Sequence, residues 1–188
     1  MESIDQDIFF SYNRIMTMKG NKIRRILQAL LSVASLAWIV FILANSLQTG
    51  EQSSAQSAEI VDKVQEIAQV IAPESAIANA TGKEYDILHD VIRNCAHFAE
   101  FAVLGALLCW CYFAYTFRKE TFYLPLCAIA IVPLLDEGLQ AFVVGRGWEL
   151  KDLALDICGG VMGLLVAMLC VYIGLVIYKN RLRKRMQK

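Results

Sequence analysis

Three short stretches hold most of the residue types able to do chemistry. Arg93, His97 and Glu100 are spaced by four and three, Asp136 and Gln140 by four, and Asp152 and Asp156 by four. On a helix, such spacing puts each set on one face. An imidazole beside carboxylates can relay a proton, share a metal with them, or hold a polar ligand. Arg146 sits between Gly145 and Gly147, and its guanidinium can meet a phosphate or carboxylate through two parallel N–H donors. All of these residues lie in or beside apolar runs. An ionisable group there is costly and faces a partner or a water-filled cavity.

The elements that must position them are membrane helices. The chain has 188 residues and is 57% hydrophobic, which is too apolar for an ordinary soluble domain of this size. Four apolar segments reach the length of about 20 residues that a bilayer requires: 26–44, 95–117, 122–142 and 153–178. In lipid they must be helical, because an unpaired backbone has no water to bond. The expected fold class is all-α: a polytopic membrane protein of four transmembrane helices. Net charge is zero, so no basic field points to nucleic acid. The six cysteines, Cys95, Cys109, Cys111, Cys127, Cys158 and Cys170, fall in or beside the apolar runs without C-x-x-C spacing. They read as small packing residues rather than disulfides or zinc ligands.

Basic residues set the orientation. Thirteen of the eighteen Lys and Arg precede the first span, link the second to the third, or follow the fourth. Lys63, Lys83, Arg93, Arg146 and Lys151 lie on the other side. Both termini are therefore expected in the cytoplasm: an N-terminal segment 1–24, a membrane domain 25–178 and a basic tail 179–188. Met16 and Met18 offer alternative starts to Met1. The first span is read as uncleaved, because its core is long for a signal peptide and "FILANSLQ" is a poor cleavage site. In the outer loop 45–93, Ile60, Val64, Ile67 and Ile71 recur at helical spacing. They predict an amphipathic helix that lies on the outer surface or caps the bundle. Pro73 ends it, and a second helix restarts near Asp86 and runs into the second span. "NAT" at Asn79 is a weak glycosylation pattern, and His89 reads as a solvated helix residue.

With this topology, residues distant in sequence meet at one depth. Asn94, His97 and Glu100 lie near the outer end of the second span. Asp136, Glu137 and Gln140 lie near that of the third, and Asp152 and Asp156 near that of the fourth. Asn45 and Ser46 border them from the first. Arg146 is the natural counter-ion for one acid, and its flanking glycines permit a sharp turn over the pocket. Trp148 fits an interfacial anchor. Glu137 points about 100° from Asp136 on the same helix, so one of the two faces another helix or lipid headgroups. Asp152, Asp156, Gly159 and Gly163 form one stripe that passes into a G-x-x-x-G pattern, which allows close helix contact. An outward-open polar pocket between the second, third and fourth helices is expected. The alternative is a network that only satisfies itself and fixes helix register.

At these residues the chain resembles the VanZ-like family of small bacterial membrane proteins. The pattern N-x-x-H-x-x-E-(Y/F)-x-x-L-G is matched by "NCAHFAEFAVLG" through Asn94, His97, Glu100, Phe101, Leu104 and Gly105. The pattern D-E-x-x-Q-x-F-x-P-G-R is matched by "DEGLQAFVVGR" through Asp136, Glu137, Gln140, Phe142, Gly145 and Arg146. A third, D-x-x-x-N-x-x-G-x-x-x-G, corresponds to "DLALDICGGVMG". A Ser/Gln-rich stretch like "NSLQTGEQSS" also follows the first span in the family. The likeness runs from about Arg24 to Ile177. It departs at Val144, where proline is common, at Phe101, where tyrosine is frequent, and at Asp156, where asparagine is common. The last departure adds an acid to the pocket. The resemblance implies a role in the envelope of a bacterium, at the plasma membrane. The family is named for a protein associated with teicoplanin resistance, and the resemblance supplies no reaction.

Two functions of different class follow. In the first, the pocket binds the headgroup of a lipid-linked cell-wall intermediate or a lipoglycopeptide in the outer leaflet. Its ligand-binding residues are Asn94, His97, Glu100, Asp136, Glu137, Gln140, Arg146, Asp152 and Asp156, with membrane lipids as neighbours and no cofactor or resident metal. In the second, the chain is an intramembrane enzyme whose catalytic candidates are His97, Glu100, Asp136 and Asp156. One variant of it has His97, Glu100 and Asp136 or Asp156 hold a metal that activates water. A transporter is disfavoured, because the inner halves of the spans carry no charge.

Overall fold

The structure is a computed structural model that describes residues 21–115 and 122–186. The alternative starts at Met16 and Met18, the basic residues Arg14, Lys19, Arg118, Lys119 and Lys188, and the expected end of the second span at 117 lie outside the described residues. Five helices account for most of the rest: α1 (Asn21–Ser46), α2 (Gly50–Ile71), α3 (Lys83–Tyr115), α4 (Tyr123–Gln140) and α5 (Leu150–Met186). Four of them, α1, α3, α4 and α5, are long and apolar enough to cross a membrane. The described chain is thus all-helical, as its apolar runs require.

The axis of the bundle is the α3–α5 pair, and small residues bring the two backbones together. A Cβ on Gly105 would run into the carbonyl oxygen of Gly160, and one on Gly163 into that of Ala102. One on Gly159 would meet the carbonyl oxygen of Phe98. The G-x-x-x-G stripe of α5 therefore does what its spacing predicts, with α3 as its partner. In lipid, such close approach supplies the van der Waals contact that apolar burial cannot. Helices α1 and α4 lean on this pair.

Two apolar layers fill the interior. Ile42, Phe101, Leu104 and Val132 form one, with Trp38, Ile39 and Leu108 packed against it. Cys109, Ile129, Leu164 and Ala167 form the next. Of the six cysteines, all of them unbridged, Cys109 alone is buried; Cys95, Cys127, Cys158 and Cys170 are exposed on the bundle surface. At the far end, Arg24 donates to the carbonyls of Ala114 (3.3 Å) and Tyr115 (2.9 Å), and Gln28 donates to Ala114 (2.9 Å). These bonds satisfy acceptors that the last turn of α3 leaves open.

The loop between α1 and α3 contains α2. Thr49 caps it, with Gln52 returning the bond to complete a capping box. Of the two expected placements, capping the bundle with the isoleucine stripe is not what occurs: Val61 and Ser57 are buried, while Ile60, Ile67 and Ile71 are exposed. The α2 side chains that reach α3 or the loop before it are polar. Tyr85 Oη donates to Asp62 at 3.1 Å, and Gln65 Nε2 donates to the carbonyls of Ile77 and Ala80. His89 is not solvated as the sequence suggested. Its side chain is 17% exposed, and Nε2 sits 3.1 Å from the Ser54 carbonyl.

Candidate functional site

The polar residues collect at one end of the bundle, where α1 and α4 finish, α5 begins and α3 passes through. The first apolar layer lies one helical turn below them: Ile42 beneath Ser46, Phe101 and Leu104 beneath His97 and Glu100, Val132 beneath Asp136. This layer is a floor that separates the cluster from the far end of the bundle.

Hydrogen bonds fix part of the cluster. Gln140 Nε2 donates to Asp136 Oδ2 at 2.7 Å, and Ser46 Oγ donates to Asp136 Oδ1. Asn45 Nδ2 donates to Glu100 Oε1 at 3.2 Å, and Trp38 Nε1 to the Glu100 carbonyl at 2.8 Å. The Glu149 amide donates to Glu137 Oε2 at 2.8 Å. Both Asp136 and Glu137 are buried, at 2% and 0% exposure, so neither points to headgroups. Arg93 Nη2 lies 3.6 Å from Asp152 Oδ2, and His97 Nδ1 lies 3.7 Å from Asp156 Oδ1.

The Arg146 turn is held from two sides. Gly145 has φ 77°, a conformation that favours glycine. The Gly50 amide donates to the Val144 carbonyl at 3.1 Å, and a Cβ on Gly50 would collide with the Gly145 carbonyl oxygen. The start of α2 thus presses the turn against the bundle. Arg146 does not take the counter-ion role expected of it: among the described residues it makes no ion pair, and Arg93 pairs with Asp152 instead. Burial, then the nearby Arg93, push the Arg146 guanidinium below its ordinary range, while Asp136, Glu137 and Glu100 oppose that shift. It stays charged.

Several groups have no partner. Arg93 Nε, Arg146 Nε, His97 Nδ1, Glu137 Oε1 and both carboxylate oxygens of Asp156 are buried without a hydrogen bond. Buried polar groups are nearly always bonded, so this concentration in one cluster is unusual. Among the described residues, the carboxyl groups of Glu100, Asp136, Glu137, Asp152 and Asp156 gather around Arg93, His97 and Arg146. Among the described residues, one group with metal-ligand geometry occurs, and it is here: His97, Asp136 and Asp156 each offer an atom within 4.8 Å of the others'.

Of the residues singled out by spacing, His97, Glu100, Asp136, Glu137, Gln140, Arg146, Asp152 and Asp156 come together, with Asn45 and Ser46 at their border. Asn94 is half-buried on α3 and takes no part in the cluster's bonds among the described residues. Three participants were not in the expected ligand set. Arg93 shares the His97 face and was recognisable by that. Trp38 lies seven residues before Asn45 on one face of α1, an i, i+7 signal. The Glu149 amide has no sequence signal.

Such a molecule is a small four-helix membrane protein with a partly unsatisfied ionic cluster at one end. Residues 31–172 match the VanZ/LLP1 family, and the chain belongs to it. The match bears out the resemblance carried by "NCAHFAEFAVLG" and "DEGLQAFVVGR". No curated protein and no solved structure matches the chain.

Proposed function

We propose that this VanZ-family membrane protein acts in the bacterial plasma membrane, with both termini cytoplasmic, and binds a polar headgroup through the cluster. The ligand class is a lipid-linked cell-wall intermediate or a lipoglycopeptide, and the outcome is a contribution to teicoplanin tolerance. The observation that carries this reading is the pair of half-buried arginines, Arg93 and Arg146, each with a buried Nε that has no hydrogen bond. Buried donors without acceptors suit an incoming phosphate or carboxylate. The exposed Ile60, Ile67 and Ile71 on α2 would rest on the outer leaflet beside the pocket mouth.

A susceptibility assay tests the proposal. A strain lacking the gene is complemented with wild type, His97→Ala, Asp136→Asn or Arg146→Ala, and protein levels are checked by blot. Teicoplanin tolerance restored by wild type alone supports it. Equal tolerance from every variant means that the cluster only holds the helices in register.

An enzymatic reading is favoured by one observation, the buried His97 Nδ1 facing Asp156 at 3.7 Å. There His97 would be the general base and a carboxylate would orient it. Under that reading, His97→Gln keeps ligand binding and loses turnover. Under the binding reading, no turnover of a lipid-linked substrate is measurable in the wild type.

A further inference from the structure

Headgroup capture by the arginines leaves the deepest part of the cluster unused. Asp156 is 0% exposed, and neither of its oxygens has a hydrogen-bond partner. His97 Nδ1 is likewise unbonded, and it stands 3.7 Å from Asp156 Oδ1. That is too far for a hydrogen bond. An imidazole and a carboxylate that served only to stabilise each other would close the gap. Asp136 completes a triangle with these two, the three donor atoms lying within 4.8 Å of one another. Ligand atoms about 2.0–2.2 Å from a tetrahedral zinc ion stand about 3.4 Å apart, so the His97–Asp156 separation is close to that of two ligands on one ion.

Two more observations point the same way. Asp136 is oriented from outside, with Gln140 donating to Oδ2 at 2.7 Å and Ser46 to Oδ1. Donors behind a carboxylate commonly orient it toward a metal. Five carboxyl groups also gather in a site floored by apolar side chains, where a bound cation would stabilise their charged forms. Glu100 stands outside the triangle.

We propose that His97, Asp136 and Asp156 bind one divalent transition-metal ion. The imidazole favours a zinc- or iron-like ion over magnesium or calcium. Three protein ligands leave a coordination position for water or for an anionic oxygen of the bound headgroup. The inference rests on the cluster being a binding pocket and not on which headgroup enters it.

The test uses the full chain in detergent micelles, stripped with EDTA, then loaded with Zn²⁺ or Co²⁺ and desalted. Metal content is measured by mass spectrometry, and cobalt coordination by visible absorption. The wild type should retain one ion per chain. Asp156→Asn, which is nearly isosteric, and His97→Gln should weaken binding by more than about a hundredfold, beyond the effect of losing an outer partner. Glu59→Gln, on the exposed side of α2, should bind as the wild type does. No retained metal in the wild type overturns the inference, as does equal retention by Asp156→Asn. The Asp156→Asn arm decides the question if His97→Gln does not accumulate. Metal failure with tolerance still dependent on Arg146 sinks the metal site alone. Retained metal with a tolerant Arg146→Ala sinks the headgroup reading alone.

Discussion

Replacing Asp156 with asparagine in the metal-free protein should make it more stable, a sign opposite to that of most core substitutions. Asp156 is fully buried, and both its oxygens lack partners. The carboxyl groups of Asp136, Glu137, Asp152 and Glu100 crowd it, and Arg93 is paired with Asp152 at 3.6 Å. A buried polar group without a bond costs about 1–3 kcal/mol, ionised or not. Asparagine keeps the shape, carries a smaller desolvation cost and adds a donor among acceptors. A net gain of about 2 kcal/mol follows, or about 4–8 °C in unfolding midpoint for a chain of this size. Asp152→Asn should go the other way by about 1 kcal/mol, because Arg93 then loses its ion-pair partner and its Nε is already unbonded. Both are measured in EDTA at one protein concentration and one scan rate, since membrane proteins often unfold irreversibly. The tryptophans report the transition. A midpoint for Asp156→Asn several degrees below wild type would refute the reasoning, and with it the claim that Asp156 is held ready for a ligand.

Other substitutions follow from the packing and the bonds. Gly163→Ala drives a Cβ into the Ala102 carbonyl oxygen, so α3 and α5 must part by about 1.5 Å to reach ordinary contact. The cost should be about 3 kcal/mol or more; Gly174→Ala, with nothing within 4 Å of its Cβ, should be neutral or stabilising in the same melts. Gln140→Leu strips the 2.7 Å donor from Asp136 and should lower the midpoint by an amount equivalent to about 1–3 kcal/mol. Orientation is checked with reporter fusions. A fluorescent protein after Lys188 should light up, and alkaline phosphatase fused after Ile71 should be active; the reverse pattern would put the pocket on the cytoplasmic face.

The four spans were legible because each element had to satisfy its backbone alone in lipid, and apolar length is enough to signal that. The meeting of His97 with Asp136 and Asp156 was legible for a related reason. Once hairpin topology is granted, residues near the same ends of successive spans share a depth, and the i, i+4 spacing names the face. The α2 packing face was misjudged because it carries both apolar and small polar residues. Ile60, Ile67 and Ile71 look like a core stripe, yet Ser57 and Val61 are the buried positions. In such a helix the packed face depends on what stands opposite, here the polar His89 and Tyr85.

Partner choice among charges was the hardest feature to read. Arg146, between two glycines, looked like the obvious counter-ion, whereas Arg93 takes that place with Asp152. The reason is axial. Arg93 precedes His97 by one turn on α3, and Asp152 precedes Asp156 by one turn on α5. The two helices are held in register by Gly105 against Gly160, Gly159 against Phe98 and Gly163 against Ala102. That register sets Arg93 level with Asp152 and His97 level with Asp156, so one acid gains a guanidinium and the other faces an unbonded imidazole. A shift of one turn would give Asp156 the arginine and close the gap that the proposed ion fills. The glycine contacts thus decide which carboxylate is left free, and spacing along a single helix contains no information about that offset.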